Sequence, residues 1–311
     1  MGSRVLNDAR GGSVSVGIIA ALCVLLATGP ASATDPKTFP TPEAAAQALI
    51  AASKSGDQQA VLDVLGSDAK DIISTGDEVQ DKEAAAKFLA SAQQKMHLEQ
   101  TDDGAEIMNI GTDDWPFPIP IVKKGDVWAF DTAAGKQEML DRRVGANELE
   151  TIDVCRSFVD AQRAYASQIQ DNSGLVKYAR QLISSPGKHD GLYWPPEEGK
   201  PLSPMGPLVA DAVEEGYGGK KGSPYHGYFY RLLTAQSKNA PGGAYSYVIN
   251  GNMVAGFALV AYPAQYGSSG VMTFIVNQNG VVYQKDLGLK TTAIAQKMTT
   301  FDPNSTWQKA E

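Results

Sequence analysis

The sequence is poor in the residue types on which most catalytic and metal sites depend. Its 311 residues include only two cysteines, Cys23 and Cys155, and three histidines, His97, His189 and His226. No two histidines stand at the helical spacing of a zinc signature, and no Gly-rich run ends in Lys-Ser or Lys-Thr to cradle a phosphate. The Gly-x-Ser-x-Gly nucleophile elbow is also missing. Basic charge is scarce: 27 Lys and Arg stand against 35 Asp and Glu, for a net charge of -8. A nucleic-acid binder shows a basic stripe, so no nucleic-acid partner is expected. Hydrophobic residues are 43% and charged residues 20%, which excludes a disordered chain, a coiled coil and a collagen-like fibre.

Long apolar runs are scarce too. The single candidate, Val14 to Ala27, is interrupted by Ser15 and Gly17. It falls short of the ~20 residues that a membrane span needs. Arg4 and Arg10 precede it, Pro30 follows, and Ala31-Ser32-Ala33 has the small-x-small pattern of a cleavage site. Residues 1–33 therefore read as a secretory signal peptide, with an uncleaved anchor as the alternative. Losing Arg4, Asp8 and Arg10 leaves 25 basic and 34 acidic residues, a net charge of -9, with Cys155 the one remaining cysteine. A lone cysteine closes no internal disulfide, so packing must supply the stability. The mature chain is expected to be soluble, without a membrane span, and periplasmic or secreted.

After the leader, Thr41-Pro42-Glu43 has the composition of a helix start: a capping Thr, an early Pro and an acid at the positive end. Ala44, Ala45, Ala48, Leu49 and Ala52 recur at helical spacing. A second helix carries Val61, Leu62, Val64 and Leu65 and stops at Gly66. A third is expected from about Asp81 to Gln94, with Ala85, Phe88, Leu89 and Ala92 inward. The period then changes to two. Residues 97–101, 105–110 and 127–131 read as strands, with Asp103-Gly104 and Lys124-Gly125-Asp126 as turns. In Trp115 to Ile121 apolar residues alternate with Pro116, Pro118 and Pro120, so one edge has no N–H donors. This reads as an edge strand protected against sheet extension, or as a polyproline ligand.

In the second half, Gly145 is expected to end a short helix. Asn147, with Glu150 three residues on, is expected to cap a longer one. Its apolar face holds Leu149, Ile152, Cys155, Phe158, Val159, Ala166 and Ile169. Short helices are expected at about 175–184 and 207–215, around a loop 185–205 dense in Gly, Pro and Ser. Strands follow at 225–233, 244–250, 254–262, 271–276 and 281–285, with turns at Asn250-Gly251, Ser269-Gly270 and Asn279-Gly280. A helical turn at 293–298 closes the list of elements. The fold class is α+β, with two domains that each pack helices on an antiparallel sheet: 34–145 and 146–311.

Helices followed by a curved antiparallel sheet resemble the nuclear transport factor 2-like, cystatin-like cone, a fold that often encloses a pocket. In the second half a long helix, a variable loop and a β-meander are similar to a type IV pilin head, as are Asp160-Ala161-Gln162-Arg163-Ala164-Tyr165-Ala166 and Gly216-Tyr217. The corresponding helix is mid-chain and charged here, so the pilin route to a filament is not expected. The chain as a whole resembles the bacterial exported family known as domain of unknown function 2950. Trp115-Pro116-Phe117-Pro118, 130–138, 142–149, Tyr225-His226-Gly227-Tyr228, 270–274 and 283–286 carry that resemblance. It implies export and a two-part build, and brings no catalytic residues with it.

Candidate site residues can be weighed only by chemistry. Asp113 and Asp114 beside Trp115 are either paired acids at a pocket mouth or a solvated turn. Tyr193 and Trp194 in the loop, and Tyr225, His226, Tyr228 and Tyr230, can stack on sugars or peptides, or fill a sheet core. His189-Asp190 near a second histidine could hold a metal, but the spacing fits no recognised site, so no metal and no cofactor are expected. Arg142-Arg143 reads as a helix-end pair rather than an anion grip. Cys155, three residues from Ile152 and from Phe158, reads as a buried hydrophobe rather than a nucleophile. The reading is of a non-catalytic envelope binding or assembly protein with a protein or glycan partner. The alternatives are a hydrolase or isomerase using a pocket in the first-domain cone, and a purely structural scaffold.

Overall fold

The computed structural model describes residues 35–168, 174–199, 202–214, 217 and 223–310. The leader at 1–33, Ile169 and Gly216 lie outside the described residues. The chain is α+β, with one hydrophobic core built from residues 39–130 and a second from 152–301.

The first core starts with α1 (Pro42–Ser55), α2 (Gln58–Leu65), the single turn α3 (Lys70–Ile73) and α4 (Glu78–Gln94). Thr41 Oγ1 accepts the Ala44 N–H at 3.2 Å, and Pro42 opens α1, as its sequence implies. The third long helix begins at Glu78, three residues before the expected start, because Asp77 caps it. Ala85 is exposed rather than inward, Phe88 and Leu89 are half-buried, and Ala92 is buried.

These helices cover an antiparallel sheet of β1 (Met96–Gln100), β2 (Glu106–Ile110), β3 (Trp115–Pro116), β4 (Ile121–Lys124) and β5 (Val127–Phe130). Its path runs β1-β2-β4-β5, and among the described residues β3 pairs with β2 alone. Pro116 lies opposite Asn109 and Ile121 opposite Glu106, so residues 117–120 bulge against residues 107–108. Phe117 N–H donates to Met108 O at 2.8 Å, so the strand continues one residue past β3 before the bulge. Phe117, Ile119 and Ile121 are buried and Trp115 stays at the rim. Strand β4 is absent from the sequence reading because three prolines mask its start.

One helix, α5 (Thr132–Gln168), then runs 37 residues into the second core. Gly145 does not end it and Asn147 does not cap a new helix. Gly in a helix interior costs ~1 kcal/mol relative to Ala. Contacts on both sides of Gly145 override that cost. Gly135 is seated so tightly that a Cβ there would fall 2.4 Å from Pro118 O, and the Asn147 side chain is engaged elsewhere.

The second core adds α6 (Gly206–Glu214), β6 (Tyr228–Leu233), β7 (Ala235–Gln236), β8 (Tyr245–Ser246), β9 (Val248–Ile249), β10 (Asn252–Met253), β11 (Ala258–Pro263), β12 (Met272–Asn277), β13 (Tyr283–Asp286), α7 (Thr291–Ala295), β14 (Thr300–Phe301) and β15 (Gln308–Lys309). The main sheet is antiparallel in the order β15-β13-β12-β11-β6. All six residues of β11 are buried, and both α5 and α7 pack on that strand. Asn250 and Gly251, both left-handed, make the β9–β10 hairpin turn that their sequence implies. Residues 175–184 are not helical. They run extended, bridging Met253 through Tyr178 and Tyr193 through Ile183. Among the described residues no helix is long and apolar enough to cross a membrane.

Candidate functional site

Along α5, residues 143, 147 and 148 grip the loop between β11 and β12. Arg143 Nε donates to Ser268 O at 2.9 Å and its Nη1 to Ile72 O at 2.6 Å. Asn147 Nδ2 donates to Ser269 O at 2.8 Å, while Asn147 Oδ1 accepts Gln80 Nε2 at 2.6 Å. Glu148 Oε1 accepts the N–H groups of Val271 and Met272, both at 2.9 Å. Ser268 Oγ donates to Asp71 O at 2.7 Å. Groups from α3, α4 and α5 therefore meet one loop of the second sheet. Arg143 is the second arginine of the pair that the sequence reads as a helix-end feature. It sits mid-helix and serves backbone carbonyls on both sides.

Asp77 completes this junction. It is 1% exposed. Oδ1 accepts Val79 N–H at 3.1 Å and Gln80 N–H at 3.2 Å, capping α4. Oδ2 accepts the Tyr217 hydroxyl and the Gly227 N–H, each at 3.1 Å. The Gly227 contact belongs to a two-residue turn in which Tyr225 and Tyr228 exchange backbone hydrogen bonds. His226 (φ 49°) and Gly227 (φ 72°) fill its left-handed positions. Such a position disfavours most side chains, and Asn, Asp and His are the non-glycine residues enriched there. The ring of His226 lies 4.0 Å from that of Tyr225, and Tyr217 lies 4.9 Å from Tyr225.

Six sequence-derived candidates fall in different surroundings. Tyr225 and His226 are half-buried, and Asp77 and Tyr217 support them from below. Tyr228 is fully buried, donating to Met272 O at 3.0 Å, and burial pushes its hydroxyl pKa well up. Tyr230 hydroxyl lies 3.3 Å from Thr151 Oγ1, with its pKa raised by burial. Trp194 is 3% exposed inside the second core, between the edge of Tyr165 and a stacked His189 ring 4.3 Å away. Tyr193 beside it is half-buried and held by backbone bonds to Leu182 and Ser184.

Asp113 and Asp114 are exposed at the turn before β3. Asp114 takes Lys95 Nζ at 2.6 and 2.8 Å and lies 3.5 Å from His97 Nδ1. The Lys95 hydrogen bond holds its carboxyl below the usual range. Arg142 lies 5.6 Å over the Trp115 ring. Both acids sit on an exposed turn, where Asp114 is paired with Lys95. His189 pairs with Glu197 at 3.3 Å, and among the described residues no cluster of three or more metal-ligating side chains forms. Cys155 is fully buried and its thiol is pushed up to about 12, which suppresses the thiolate.

Asp77, Asn147 and Tyr217 are the junction residues that sequence reasoning missed. Their partners lie 67 to 150 positions away, beyond the reach of any local pattern. One signal was available: Asp77-Glu78-Val79-Gln80 is a helix-start pattern upstream of Asp81. A shallow cleft of about 460 Å³ runs between Gly145, Glu148, Leu149 and Ile152 of α5 and Gln284, Gln308 and Lys309 at the sheet edge.

A family model described as "Protein of unknown function (DUF2950)" matches residues 36–310. No curated protein and no solved structure gives a match.

Proposed function

The chain belongs to the DUF2950 family, and we propose that it is an exported, non-catalytic envelope protein that binds a protein or glycan partner on the Tyr225–His226 turn. The observation that carries this reading is the left-handed His226. It places the His226 ring at the tip of a two-residue turn beside Tyr225, and buried Asp77 holds that turn in place through the Gly227 N–H. Cys155, Tyr228 and Trp194 are committed to the core, and Asp114 to Lys95.

The test is capture from envelope extract and co-sedimentation with isolated cell-wall glycan. His226→Asn keeps the turn and removes the ring. It is expected to weaken capture tenfold or more while leaving thermal stability unchanged. Capture that is indifferent to His226→Asn and to Tyr225→Ala contradicts the reading. The purely structural scaffold is the second reading, favoured by the density of hydrogen bonds at the junction around Asp77 and Asn147.

A further inference from the structure

Among the described residues β1 ends the first sheet and pairs only with β2. The opposite end of that sheet is closed, because Phe39 exchanges backbone hydrogen bonds with Trp128 on β5. The outward-facing groups of β1 follow from its register. Thr101 N–H donates to Ala105 O and Gly111 N–H to Lys95 O, in line with a ladder that sets His97 opposite Asn109 and Glu99 opposite Ile107. The hydrogen-bonded pairs therefore fall on the odd-numbered residues of this strand. Peptide groups alternate direction along a strand, so the N–H and C=O of Met96, Leu98 and Gln100 face the free edge.

Bare edges of this kind are normally blunted by charges that repel a second strand. The outward side chains here are instead self-complementary. An identical strand laid antiparallel, with the two-fold axis at Leu98, sets Leu98 against Leu98 and Met96 against Gln100 as hydrogen-bonded pairs. It sets His97 against Glu99 of the second copy, twice, in the non-hydrogen-bonded positions where side chains approach most closely. His97 and Glu99 are both exposed. Within the chain His97 Nδ1 faces Asp114 at 3.5 Å, and Glu99 Oε2 accepts Asn109 Nδ2 at 2.9 Å. His97 Nε2 and Glu99 Oε1 are the atoms left to meet the second copy.

We propose that the protein self-associates through β1, a second copy extending the first sheet across this edge by antiparallel pairing centred on Leu98. The proposal is independent of the binding reading for His226. Five paired residues make a small interface, so the dimer is weak, with a dissociation constant on the order of 100 µM.

Sedimentation velocity over a concentration series tests it. The unsubstituted protein shifts from monomer to dimer with concentration. Gln100→Pro removes an outward N–H that its own sheet does not use, so the fold is kept and dimerisation falls tenfold or more. His97→Glu sets two carboxylates opposite each other and weakens it about fivefold, and Glu99→Lys removes the acceptor that faces His97 and weakens it by about the same factor. The double variant His97→Glu/Glu99→Lys restores the opposite pair, and its constant returns to within about twofold of the unsubstituted value. Circular dichroism and thermal melts confirm that each variant is folded. A protein that stays monomeric to about 1 mM overturns the proposal. So does a dimer that ignores Gln100→Pro, or a double variant no better than its parents.

Discussion

The carboxylate of Asp77 accepts the backbone N–H of Gly227 at 3.1 Å across 150 positions of sequence. One oxygen of the same side chain caps α4 and the other receives the Tyr217 hydroxyl, so a single buried group serves both cores. Replacing it leaves three or four donors without an acceptor. Asp77→Ala is expected to cost about 3 kcal/mol, the sum of a lost cap and buried unpaired donors. Asp77→Asn keeps the cap but turns an N–H toward Gly227, and is expected to cost about 2 kcal/mol. Urea unfolding checks both, and a change of under about 0.5 kcal/mol for Asp77→Ala would show that the contact is idle.

Two glycines of α5 should respond to alanine with opposite signs. At Gly145 a Cβ meets nothing within 4 Å, so Gly145→Ala gains the helical preference of Ala, about 1 kcal/mol. At Gly135 a Cβ would lie 2.4 Å from Pro118 O and 2.6 Å from Ile119 Cα, both backbone atoms that cannot swing away. Gly135→Ala is expected to lose about 3 kcal/mol despite the same intrinsic gain. Thermal melts of the two variants suffice, and equal shifts would contradict the seating of α5 on the Pro118–Ile119 bulge.

These glycines also mark the limits of what local sequence discloses. The Thr41 cap, the Asn250-Gly251 turn and the strands β2 and β12 are written in short-range patterns, and they appear within a residue of where those patterns put them, while β11 begins four residues later than its apolar run implies. Gly145 carries a stop signal that is locally sound, yet α5 ignores it, because Arg143 and Asn147 are held by residues 71 to 125 positions away. The same reason hides the junction around Asp77. Tyr193-Trp194 reads as a loop pair that either stacks on a ligand or fills a core, and Trp194 is drawn inward, walled in by Tyr165 and His189. In the candidate site, Tyr225 and His226 were legible as aromatic residues, whereas the left-handed turn at His226 and its support by Asp77 were not.

Two carboxylates should move stability in opposite directions with pH. Burial raises the Asp81 pKa above 3.8, although the Thr75 hydrogen bonds and Arg143 oppose it. The folded state therefore binds this proton more tightly than the unfolded state. Stability relative to Asp81→Asn rises as pH falls through the folded pKa, and the gain is complete below the unfolded value. Asp190 is lowered from 3.8 by hydrogen bonds from Ser185 and Gln181. Its contribution is present above the unfolded pKa and fades as pH drops through the folded one. Unfolding curves from pH 7 to about pH 3 for Asp81→Asn and Asp190→Asn, each against the unsubstituted protein, should diverge with opposite slopes.

Cys155 should be silent in the native protein. With its thiol pushed up to about 12 and no surface exposed, labelling by a disulfide reagent at pH 8 should wait for denaturant. Peptide mapping by mass spectrometry identifies the modified residue. Fast native labelling at Cys155 would mean that α5 opens away from β12.

The most direct test of the junction is hydrogen exchange of the native protein, followed by peptides from β2 and from β11. Because Arg143, Asn147 and Asp77 bind the two cores into one body, both peptides should report the same opening free energy. In Asp77→Ala/Asn147→Ala the two values should separate, the cores then opening one at a time. Unequal values in the unsubstituted protein, or equal values that survive the double substitution, would contradict the account.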